Sequence, residues 1–79
     1  MSYDTPPSGA KPVIVEWVDI TGSSDSPGLT RRWSIGHLLS STYSSEGATC
    51  VVLGTTWDED RWSDYSTFPA NVVLSVEEI

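Results

Sequence analysis

"PVIVEWVDIT", residues 12–21, decides the fold class. β-branched and aromatic residues dominate it, and Pro12 suits the first position of a strand. Its first half is apolar at consecutive positions, whereas Glu16 stands between Val15 and Trp17, so one face of the strand opens to solvent partway along. Before it, "MSYDTPPSGAK", residues 1–11, has the Pro, Ser and Gly content of a flexible lead, which places a single domain over residues 12–79. After it, "GSSDSPGLTRR", residues 22–32, gathers Gly, Ser, Asp and Pro and predicts a long loop.

The rest of the chain alternates strands and short turns. In "WSIGHLLSSTYS", residues 33–44, Ile35, Leu38 and Leu39 have helical spacing, but Gly36 and the Ser/Thr-rich tail oppose a helix, and a strand is expected. "SSEG", residues 44–47, is a tight connection to "ATCVVLGTTW", residues 48–57, a second clear strand that completes a hairpin. "DEDRWSD", residues 58–64, then reads as a turn or loop, "YSTF" as a short returning strand and "PAN", residues 69–71, as a tight turn before the closing "VVLSVEEI". No stretch of convincing length is helical, so the class is all-β, with four or five antiparallel strands. So few strands bury a face only by curling onto themselves, and a small barrel is expected.

Composition narrows the function classes. A chain of 79 residues builds one core and buries only about 60–65% of its unfolded surface. Four Trp, three Tyr and one Phe supply the apolar area that so short a core needs. Eleven acidic residues against four basic ones give a net charge of −7, which repels a nucleic-acid backbone and attracts basic protein surfaces. Direct nucleic-acid binding is therefore not expected. Cys50 is the single cysteine, so no intrachain disulfide or cysteine metal cluster can form, and within "ATCVVLG" it reads as a small buried hydrophobe. No run approaches the ~20 apolar residues of a membrane span and no signal-peptide order opens the chain, so a membrane role is not expected and the protein is expected to stay inside the cell.

The order of landmarks resembles a group of small bacteriophage-encoded proteins. In these an opening V-x-V-x-W-x-D strand precedes a variable loop, a G-x-L-L strand, a short apolar strand, an acidic loop and a closing P-x-x-V-x-x-V segment. The corresponding stretches here are "VIVEWVDI" (13–20), "IGHLL" (35–39), "CVVL" (50–53) and "FPANVVLSVEEI" (68–79), the last with Ser75 at the second Val position of the pattern. The four Trp and Phe68, where an aliphatic residue is more usual, depart from that pattern. The resemblance implies an SH3-like or Sm-like small barrel made in the cytoplasm of an infected bacterial host, and it carries over no catalytic residue. Small barrels host many unrelated binding roles, so fold alone transfers no activity.

Residue constellations then separate the remaining classes. His37 is the sole histidine and sits within an apolar strand, no Ser stands in a nucleophile-elbow pattern, and an enzyme is not expected. Asp58, Glu59, Asp60 and Asp64 lack the alternating ligands, central Gly and twelfth-position Glu of a calcium loop. No Gly-rich loop leads into a helix to cradle phosphate, and no cofactor is implied. "WDEDRWSDY", residues 57–65, sets three rings among four carboxylates and one arginine. Trp57 is expected to point inward, and Trp62 and Tyr65, with Asp58, Glu59, Asp60 and Asp64, to form a contact surface for a host protein with a basic surface, a nucleic-acid-processing or defence factor. Alternatively all three rings staple a loop onto the barrel. A different class is a nucleotide-like ligand site in which Arg31 and Arg32 face phosphates and Trp33 stacks on a base, against the plainer role of offsetting local acidity. A structural piece of a virion is a third possibility. Pairing of the apolar "VVLSV" edge would make a homo-oligomer.

Overall fold

The computed structural model describes residues 10–22, 25 and 27–79. Its elements are β1 (Lys11–Gly22), β2 (Pro27–Ser45), β3 (Ala48–Asp58), β4 (Arg61–Pro69), a 3-10 turn (Ala70–Val72) and β5 (Val73–Glu78). They form one antiparallel five-stranded sheet in the order β4-β3-β2-β1-β5. The all-β expectation holds. β4 and β5 are the two edges of the sheet, which is open rather than a closed cylinder.

Parts of two expected loops, residues 22–32 and 58–64, are strand instead, and residues 23, 24 and 26 of the first lie outside the described residues. Residues 27–32 belong to β2, because Gly22 through Trp17 pair residue for residue with Pro27 through Arg32, and cross-strand pairing overrides the loop-like composition. Likewise Arg61–Asp64 already lie in β4, opposite Asp58, Trp57 and Thr56, which leaves only Glu59 and Asp60 as the turn. At the start of the chain β1 takes in Lys11, and the expected flexible lead otherwise lies outside the described residues apart from Ala10.

β2 runs for 19 residues and serves both halves of the sheet, pairing with β1 from Pro27 to Leu38 and with β3 from His37 to Ser45. Against β3 its register slips twice, between Leu38 and Ser40 and again between Ser40 and Tyr43, each time with an extra residue on β2. Such bulges bend and twist a strand. The bend rolls the sheet over its own inner face, where Val13, Val15, Val51, Leu53 and Phe68 are buried together. Trp17 of β1 reaches Phe68 of β4 across this interior, ring centroids 5.0 Å apart, although two strands separate them in the sheet. The Trp17 indole Nε1 donates to Ser34 Oγ at 3.0 Å, so its polar tip is satisfied where its body is packed. Cys50 is buried, as expected, with its thiol against the Ala48 carbonyl oxygen.

Two hairpin turns close with positive φ. Glu46 (φ 52°) and Gly47 (φ 77°) link Ser45 to Ala48 in the two-residue form whose twist matches the flanking strands. At the other end Glu59 has φ 57° and the Asp60 amide donates back to the Asp58 carbonyl, a tight three-residue turn that non-Gly residues rarely adopt.

Candidate binding face

Strand alternation sends every second side chain to the side of the sheet opposite the core, and directly paired residues share a side. With Leu38 and Leu53 facing inward, the neighbouring pair His37 and Gly54 faces out. Gly54 is buried all the same, because the Trp62 indole lies on it: a Cβ built there would come within 2.4 Å of Trp62 Cδ2. His37 packs on the same ring at 5.1 Å, and Trp57 meets it edge-on at 5.2 Å. Trp57 therefore lies on the outer side with Trp62, not in the core. Between Gly54 and Trp57 the β3–β4 register shifts twice, and simple alternation counted along the strand loses its phase there.

Beyond Gly54 the outer side continues into a shallow groove of about 450 Å³ lined by Leu39, Ser40, Tyr43, Val52, Tyr65 and Thr67. Tyr65 stands opposite Gly54 and Thr67 opposite Val52, so the groove runs along β3 and β4 with the C-terminal half of β2 as its other wall. Tyr43 and Tyr65 are more than half exposed, at 53% and 60%. A strip of rings thus leads from Tyr43 and Tyr65 past Trp62 and Trp57 to the tip of the β3–β4 hairpin. Along β3 from Val52 to Asp58 that is about 20 Å, the span of six or seven extended residues.

Asp58, Glu59 and Asp60 form that tip and are exposed, as is Asp64 farther down β4 opposite Thr56. Of the residues expected to bind a partner, Trp62 and Tyr65 share the outer side and the three tip carboxylates end the same strip. Trp62 is half-buried and props the sheet, whereas Tyr65 presents its ring to solvent. Sequence reasoning did not select Tyr43 or Leu39, which lie 22 and 26 residues from Tyr65 in the chain; their approach depends on the β2 bulges, which leave no mark in the local sequence pattern.

The alternative trio is divided. Arg31 and Trp33 share the outer side of the β1–β2 ribbon, where Arg31 Nε is 3.0 Å from Glu16 Oε1. Arg32 points to the opposite side, and its Nε donates to Asp19 Oδ2 at 2.9 Å. Both guanidinium groups already hold a carboxylate, and the two do not converge. Among the described residues no three of His, Cys, Asp and Glu come together as metal ligands, and no helix is long and apolar enough to cross a membrane. No protein-family model, curated protein or solved structure matches the chain.

Proposed function

We propose that this chain is a binding module, not a catalyst, that takes an extended segment of a protein partner along the outer strip of β3 and β4. The partner segment is apolar where it lies between Tyr43 and Tyr65 and basic where it meets Asp58, Glu59 and Asp60. The observation that carries this is the open groove between two exposed tyrosines on the side away from the core, continuous with an acidic tip. Exposed Tyr offers large contact area at low rotamer entropy, and the surrounding charge steers a cationic partner toward it. With the resemblance to phage-encoded chains, the partner would be a protein of the infected host. The fold itself we read as a small SH3-like barrel that stays partly open. The long shared β2, the 3-10 turn before β5 and the Trp17–Phe68 contact across the interior support that reading.

Affinity capture from bacterial lysate tests it, comparing the wild type with a Tyr43→Ala/Tyr65→Ala variant and with an Asp58→Asn/Glu59→Gln/Asp60→Asn variant. One stoichiometric partner should be lost with the first variant and retained only at low salt with the second. Equal recovery by all three proteins would rule the strip out.

A further inference from the structure

The β1–β2 ribbon reverses its polarity along its length. On the core side Val13, Val15 and Trp17 give way to Asp19 and Thr21, which are occupied with Arg32 and with the Thr30 hydroxyl at 2.7 Å. On the outer side the sequence of pairs is Ile14 with Ile35, Glu16 with Trp33, Val18 with Arg31 and Ile20 with Leu29. The outer side is thus apolar where the inner side has turned polar. Among the described residues this end of the ribbon has no third strand, because β5 pairs with β1 only as far as Trp17 and β3 pairs with β2 only from His37 onward. A two-stranded ribbon without cover is marginal in water.

We infer that a second copy of this chain covers the ribbon, outer side against outer side, in a two-fold dimer. Ile20, Leu29, Trp33 and Ile35 are exposed by 83%, 73%, 58% and 64%. Together they leave on the order of 600 Å² of apolar surface in water, at the top of what a monomer's largest patch reaches. Val18, Ile14 and the stem of Arg31 bring this near the roughly 800 Å² per partner of a standard interface. Charge selects the occupant. The patch holds one acid and one base, Glu16 and Arg31, which pair with each other, and Ser75 Oγ donates a further hydrogen bond to Glu16 at 3.5 Å. A basic partner finds no free carboxylate within it, and an anionic membrane or nucleic acid meets a chain of net charge −7. An equally neutral, apolar surface fits, and the same patch on another copy is one; self-packing of this kind is isologous and closes at two. Glu77, paired with Ile14 from β5, borders the patch and repels its counterpart, so association strengthens as salt screens the like charges. The Tyr43–Tyr65 groove lies on the other half of the sheet and plays no part in this contact.

Sedimentation velocity at about 100 µM, where a complex of micromolar Kd is formed, reads the outcome directly. The wild type should sediment at twice the 8.6 kDa chain mass, more completely in high salt than in low. Ile35→Asp and, separately, Leu29→Asp should each weaken dimerisation by roughly a hundredfold or more, since two carboxylates enter the apolar contact. Circular dichroism checks that each variant stays folded; both residues are exposed in the single chain, and if Ile35→Asp unfolds, Leu29→Asp at the ribbon's end decides the question. A monomeric wild type overturns the inference, as does a dimer that survives both substitutions. Cosedimentation of a monomeric wild type with phosphatidylcholine vesicles, lost in Leu29→Asp, would assign the patch to lipid and overturn it equally.

Discussion

Gly54 and Trp62 show how one residue fixes an entire side of the sheet. The indole rests where any side chain at position 54 would stand, so Gly54→Ala must push Trp62 off the strand and disturb its contacts with His37 and Trp57. Overpacking of this kind costs about 1–3 kcal/mol, and urea denaturation with tryptophan fluorescence should register both the loss and a red-shifted emission. At the hairpin tip the opposite sign is expected. Glu59 holds a left-handed backbone with three acidic residues crowded in the turn, so Glu59→Gly should stabilise the protein by about 1 kcal/mol in the same denaturation experiment. Composition alone exposed the aromatic and acidic character of residues 57–65. It did not place Trp57, because the paired register shifts between Gly54 and Trp57 displace the alternation that a strand pattern assumes.

At the scale of elements, local sequence signals located the strands better than their ends. β1, β3 and β5 stand out by β-branched density, and the Glu46–Gly47 turn was legible from its residue types; the turn expected at residues 69–71 is the 3-10 turn Ala70–Val72, one residue later, with Pro69 still in β4. The first half of β2 was not, since Pro27, Gly28 and the neighbouring polar residues resemble a loop until β1 pairs with them. Nor could the bulges near Leu39 and Ser41 be read, although they bend β2 and thereby set the groove. The curl they produce makes a prediction of its own. Trp17 and Phe68 touch only if β1 and β4 face each other across the interior. A double-mutant cycle with Trp17→Leu and Phe68→Leu should therefore return a coupling of about 0.5–1.5 kcal/mol, and strictly additive losses would mean that the sheet lies flatter.

For the molecule as a whole, the two sides of the sheet differ in burial. Its inner side packs a small core around Val13, Val15 and Leu53, each at most 1% exposed, and its outer side leaves tyrosine, isoleucine, leucine and tryptophan in water. An elongated body of 55 × 26 × 21 Å spreads that outer side over two regions, the β3–β4 strip and the β1–β2 ribbon. Exposed ion pairs such as Lys11–Glu78 add little to stability, which rests on the core. If the outer rings serve recognition, removing them should leave folding nearly untouched. Equilibrium urea denaturation of Val15→Ala beside Tyr43→Ala and Tyr65→Ala tests this division most directly. The core substitution should cost about 2–3 kcal/mol through the cavity it opens, and each tyrosine substitution less than about 0.5 kcal/mol. Tyrosine losses as large as that of Val15 would contradict the assignment and make the outer rings part of the structural core.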